Sequence, residues 1–139
     1  MRIGHIEDCE GDAVLLDNAL NAAMIEDAEY FIDYVDCITP FHIDRYHNVD
    51  EYKDDNYDVV ITDLGLSKTY GTETIKSIRA KTKAPIVVLT GLGGAYLTGT
   101  MYKSFLDAGA SEVFQKEAIN DPYFVDQIKR IAGKKDEQE

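Results

Sequence analysis

Five side chains fall directly after, or at the end of, short apolar runs: Glu7 and Asp8 after "RIGHI", Asp63 after "DVVIT", Thr90 closing "PIVVLT" and Lys116 after "EVFQ". Three carboxylates brought within a few ångströms repel one another by roughly 1–4 kcal/mol per close pair, depending on the local dielectric. They stay ionised together only beside a compensating cation. An all-oxygen set is hard and suits Mg²⁺ or Mn²⁺ better than zinc. An ion, an ammonium and a hydroxyl are the parts that stabilise a transferring phosphoryl group. A carboxylate among them can be the nucleophile that accepts it. Taken singly, each residue has a plainer role: an acid after a strand is a turn or cap residue, and a lone lysine is a surface residue. Their coincidence on one rim is what points to chemistry.

That rim requires parallel strands ending together. β-rich runs at 2–6, 30–35, 58–62, 85–90 and 112–115 begin about 27 residues apart. Helical patterns lie between them: 13–24, with Leu16, Ala19, Leu20 and Ala23 at helical spacing; a polar, exposed helix over 40–56; "TETIKSIRAKT", with Ile75 and Ile78 facing inward; and "GTMYKSFLDAG", stopped by Gly109. A last helix is expected from an Asp121 N-cap and Pro122 to a stop at Gly133. Residues 1–132 then form one domain and 133–139 a disordered tail. Strict alternation of strand and helix implies right-handed crossovers and a parallel sheet covered on both faces. That accounts for the wholly apolar third and fourth runs. In such a sheet, functional groups gather at the C-terminal ends of the strands.

Composition agrees with one soluble domain: 139 residues, 45% hydrophobic and 29% charged. The formal charge of −12 would repel a nucleic-acid backbone. No apolar run approaches a membrane span and no secretory signal opens the chain, so a cytoplasmic location is expected. Cys9 and Cys37 lack zinc-ligand spacing and read as reduced thiols. His5, His42 and His47 are not spaced with carboxylates as ligands. The "GLGG" at 91–94 lacks the lysine and hydroxyl of a phosphate loop.

The segments "IEDCEGDAVLLDNAL", "YDVVITDLGL", "PIVVLTG" and "DAGASEVFQKE", in that order, resemble a response-regulator receiver domain of the CheY-like, stand-alone type used in two-component signalling. The resemblance implies a (βα)5 flavodoxin-like sandwich with a five-stranded parallel sheet in the order 2-1-3-4-5. It implies that Asp63 accepts a phosphoryl group from a phosphohistidine donor, either a sensor histidine kinase or a histidine phosphotransfer protein. Asp8, Asp63 and the Gly65 carbonyl would hold Mg²⁺ (or Mn²⁺) directly, and Glu7 through water. Lys116 would pair with the phosphoryl oxygens, and Thr90 would move to bond one of them, switching a protein–protein face. The protein would be a monomer or a phosphorylation-dependent dimer, and a phosphoacceptor rather than an enzyme acting on a separate substrate. The alternative is a pseudo-receiver, an interaction module that phosphorylation does not regulate.

The sequence departs from that pattern in places. Glu117 follows the lysine where proline is common, so a trans bond is expected there. Val113 stands at the position of the usual switch aromatic, with Phe114 beside it, and Ser67 replaces a common proline. About four extra residues between Thr90 and Gly109 predict a longer loop over 91–99. Gly65 and Leu92, two residues past Asp63 and Thr90, cannot position a hydrolytic water, which predicts a long-lived phosphoaspartate.

Overall fold

The computed structural model describes residues 1–30, 41–65, 71–91 and 99–137. Five strands form one parallel sheet: β1 (Arg2–Ile6), β2 (His42–Tyr46), β3 (Val59–Thr62), β4 (Ile86–Thr90) and β5 (Glu112–Gln115), in the order β2-β1-β3-β4-β5. The helices are α1 (Glu10–Tyr30), α2 (Thr72–Arg79), α3 (Gly99–Ala108) and α4 (Phe124–Glu137), and a 3-10 turn (Lys116–Asn120) follows β5. This is the expected doubly wound architecture. Every residue of β3 and β4 is buried, as their unbroken apolar character requires of strands covered on both faces.

One face of the sheet packs on α1 and α4, through Ile3, Val59, Ile61 and Val87 against Leu16, Leu20, Phe124 and Ile128. The other packs partly on α2 and α3, through Leu64, Val88 and Val113 against Ile75 and Phe105. Helix α3 ends as its sequence predicts. Gly109, at φ 126°, lets its own N–H reach Leu106 O at 3.0 Å and the Ala110 N–H reach Phe105 O at 3.1 Å, a Schellman stop. The Asp121 carboxylate accepts the Tyr123 N–H at 2.8 Å ahead of α4, which is the anticipated cap. The helix then runs through Gly133 to Glu137, so the expected stop at Gly133 is not made.

Two expectations for the second unit are corrected. Tyr30 ends α1, and the remainder of the run at 30–35 lies outside the described residues. The second strand is His42–Tyr46, inside the segment expected to be a polar helix. It pairs in register with β1, from Arg2 opposite His42 to Ile6 opposite Tyr46. As an edge strand it needs no apolar run, and its His42, Asp44 and Arg45 stay partly solvated.

The crossover from β2 to β3 contains no helix. Val49, Tyr52 and Tyr57, all buried, cover the sheet there against Ile6, Val60 and Ile86. The Lys81 ammonium fastens this connection to Val49 O at 2.6 Å and Tyr52 O at 3.3 Å. Asp54 accepts from the Thr82 hydroxyl at 2.8 Å and from the Tyr52 hydroxyl at 3.1 Å. Gly4 makes room for the layer: a Cβ there would lie 3.0 Å from Tyr57 Cδ2 and 3.3 Å from Tyr52 Cε2.

Candidate functional site

Register brings the rim together. Parallel pairing of Ile6 with Thr62 carries β1 and β3 to a common edge, where Asp63 N donates to Ile6 O at 3.2 Å. Glu7 stays within the sheet, its N–H donating to Tyr46 O at 2.9 Å, while Arg45 Nε and Nη2 donate to its carbonyl at 3.3 and 3.2 Å. The Asp63 carboxylate is oriented by its own turn. Oδ1 accepts the Leu64 N–H at 2.7 Å and the Gly65 N–H at 3.4 Å, and Oδ2 faces the Lys116 ammonium at 3.1 Å. Thr74 Oγ1 and Gly71 N both donate to Leu64 O, at 3.1 and 3.2 Å, tying that turn to the start of α2.

Lys116 Nζ also contacts Glu7 Oε1 at 3.1 Å and Asp12 Oδ2 at closer range. Glu7, Asp12 and Asp63 each offer an oxygen within 4.8 Å of the others. These groups form the polar end of a cavity of about 220 Å³ whose remaining walls include Leu15, Leu16, Leu89 and Ile119. Apolar walls lower the local dielectric and strengthen every charge interaction beside them.

The electrostatics follow. Burial pushes the Glu7 carboxyl up to about 8, with the Asp63 charge adding to the effect and Lys116 opposing it. Burial opposes the charge on Lys116, but hydrogen bonds to Asp12 and Asp63 outweigh it and hold the ammonium above its usual range. The hydrogen bond from Lys116 draws Asp12 below the ordinary carboxylate range. Burial, then the positive charges of Arg45 and Lys116, push His5 down to about 4.

Of the residues singled out in the sequence, Glu7, Asp63 and Lys116 meet. Thr90 is buried at the end of β4, in register with Gln115. Asp8 is exposed, and its carboxylate is outside the three-acid cluster. Glu7 keeps the inward direction of its strand and the next residue turns outward. The third acid is Asp12, from the first turn of α1. Asp12 is not at a strand end, and it reaches the rim because α1 starts there and brings its first turn beside the acids. Val113 packs among Val88, Phe105 and Ala110, whereas Phe114 lies on the opposite face, edge-on to Phe124 with centroids 6.0 Å apart. No described peptide bond is cis, so Lys116–Glu117 is trans. Ser67, Leu92 and most of the 91–99 loop lie outside the described residues, as does Cys37, while Cys9 is a free, exposed thiol.

The family model for the response regulator receiver domain matches residues 15–128. The chain belongs to that family. Receiver structures agree with its fold. A CheY-like receiver domain protein from Methanospirillum hungatei superposes with a TM-score of 0.71 at 14% identity, over 99% of this chain and 98% of its own. A two-component response regulator from Clostridium difficile gives 0.67 at 19% identity, over 94% of each chain. The receiver domain of a Pseudomonas aeruginosa sensor histidine kinase, solved with magnesium coordinated in its active-site cleft, gives 0.60 at 16% identity, over 96% of this chain and 94% of its own. No curated protein sequence matches. The matched span includes Asp63, Thr90 and Lys116 and begins after Glu7, Asp8 and Asp12. Among the described residues no helix is long and apolar enough to cross a membrane.

Proposed function

We propose that this receiver accepts a phosphoryl group on Asp63 from a phosphohistidine protein and thereby changes an interaction face. The observation that carries the reading is the Asp63 carboxylate: one oxygen is fixed by two backbone N–H groups and the other faces a lysine ammonium at 3.1 Å. Such a carboxylate would be pre-oriented for attack, with an ammonium and N–H dipoles beside it to oppose the charge of an incoming phosphoryl group. An Asp63 oxygen bonds to phosphorus, the phosphorus–nitrogen bond of the donor breaks, and its electron pair leaves on the imidazole.

The residues present fit a hard divalent ion. Their donors are carboxylate oxygens, and Glu7 Oε2 is buried without a hydrogen-bond partner beside them. Bound there, Mg²⁺ would neutralise charge on the phosphoryl oxygens. Glu7 and Asp63 would hold it, with Asp8 and the Gly65 carbonyl as the further ligands that the family pattern suggests. Lys116 pairs with the phosphoryl oxygens, and Thr90, buried at the adjoining strand end, supplies the hydroxyl whose reorientation biases the face around β5.

Incubation with acetyl phosphate and Mg²⁺ should add the mass of one phosphoryl group to the wild type and none to Asp63→Asn. An unmodified wild type, or a modified Asp63→Asn, would sink this function and leave a pseudo-receiver.

A further inference from the structure

An ammonium has three N–H donors, and Lys116 directs its own at three acids from three elements: Glu7 after β1, Asp12 in α1 and Asp63 after β3. The same three acids each place an oxygen within 4.8 Å of the others. A divalent ion entering the cluster would therefore draw on carboxylates that the lysine already contacts. Acceptor capacity remains beside it, because Glu7 is 2% exposed and its Oε2 has no hydrogen-bond partner. The Asp12 side chain, 34% exposed, can exchange its partner for solvent far more readily than Glu7 can.

We propose that Asp12 is a positioning residue that holds the Lys116 ammonium on the acid cluster in the resting protein, and that an entering divalent ion displaces the lysine from Asp12 and Glu7 and leaves it to Asp63. Lys116 acts as a resident monovalent cation, and ion binding is an exchange rather than a simple addition. The consequence for signalling rests on the phosphoacceptor reading. A phosphoryl group on Asp63 needs lysine donors that Asp12 and Glu7 hold until an ion arrives.

The test follows the side chain of Lys116 by NMR in the full chain with isotopically labelled lysine, the signal being assigned by its loss in Lys116→Met. Without metal, Asp12→Asn should shift the Lys116 signal and Asp12→Glu should restore it, whereas a merely structural aspartate would move other signals as well. Titrating Mg²⁺ into the wild type should carry the Lys116 signal toward its Asp12→Asn position, with the midpoint given by calorimetry. Lys116→Met should bind Mg²⁺ about tenfold more tightly than the wild type, the equivalent of about 1.4 kcal/mol. Should Asp12→Asn fail to fold by circular dichroism, Asp12→Ser replaces it. A Lys116 signal indifferent to Asp12→Asn, Mg²⁺ binding that leaves that signal in place, or unchanged affinity in Lys116→Met would each overturn the proposal. Failure of acetyl phosphate to modify Asp63 is a separate result: it removes the proposed function while the exchange of lysine for ion still stands.

Discussion

Glu7→Gln should stabilise the metal-free protein above neutral pH and flatten its pH dependence. The native Glu7 carboxyl is held at about 8, chiefly by burial, while in the unfolded chain it returns to about 4.5. Between those limits the native state keeps a proton that the unfolded state has released, so stability falls as pH rises. His5 acts in the opposite sense. Held down to about 4, it stays neutral where the unfolded chain takes up a proton, so its contribution grows from pH 4 to its ordinary 6.5 and is constant above. Asp12, drawn downward, and Lys116, pushed upward, change their contributions only below and above these ranges. Among the described residues, the window from pH 6.5 to 8 therefore belongs to Glu7. At about 1.36 kcal/mol per pH unit, wild type loses about 2 kcal/mol across it. Glutamine keeps the shape of the protonated acid and cannot ionise, so Glu7→Gln should lose almost none of this. The assay is urea unfolding of both proteins in EDTA at half-unit steps from pH 6 to 8.5, followed by circular dichroism. Groups shared by the two proteins cancel in the difference. Added Mg²⁺ should restore the wild type at pH 8 and not the variant, since an ion favours the ionised acid. Parallel stability curves would refute the reasoning: Glu7 would then ionise freely, and the cluster would not be the confined, charge-saturated place its geometry describes.

Gly4→Ala should cost about 1–2 kcal/mol in the same unfolding assay. Overpacking of about 1–3 kcal/mol exceeds the roughly 0.5–1 kcal/mol that alanine gains over glycine in a strand, because the Tyr57 ring that must give way is tethered by its hydroxyl to Asp44 at 2.8 Å; an unchanged midpoint would show that the tyrosine layer can shift. Phosphoaspartate on Asp63 should decay slowly without added phosphatase, and Gly65→Asn, which adds an amide able to orient water, should shorten its half-life several-fold by mass spectrometry.

The central strands were legible because burial on both faces leaves one signature, an unbroken β-branched run, and "VVIT" and "IVVLT" carry it. The edge strand was not. "HIDRY" has β1 on one side and none of the described strands on the other, and in isolation its polar residues are indistinguishable from those of an exposed helix. Val49 and Tyr52, three apart, complete the imitation, yet they belong to a connection fixed by a lysine thirty residues away in sequence, which no local pattern reveals. Helix ends were read well at Gly109 and Asp121 because capping is local chemistry, and Gly133 misled because a glycine ends a helix only where the chain has somewhere to turn. At the site, Glu7, Asp63 and Lys116 follow strands and meet as their positions suggest, whereas Asp8 lies outside the cluster and Asp12 takes its place, because both depend on the direction in which α1 leaves the rim.

The helix-free crossover and the acid cluster are linked through β2. Its alternate residues face opposite ways: Asp44 and Tyr46 turn to the tyrosine layer, where Tyr57 bonds to Asp44 at 2.8 Å, and Arg45 turns to the site, where it holds the Glu7 carbonyl and approaches Glu10 of α1 at 3.8 Å. A strand that slips by one residue turns every side chain to the other face. Such a slip here would bring the acidic Asp44 toward Glu7 in place of Arg45, adding negative charge beside a group already driven toward its neutral form by burial. An edge strand has only one neighbour to fix its register, so the tyrosines that replace the helix supply the second constraint. They lie on the far face of the sheet from the acids, and their effect on the site is the sign of the charge that β2 delivers to it.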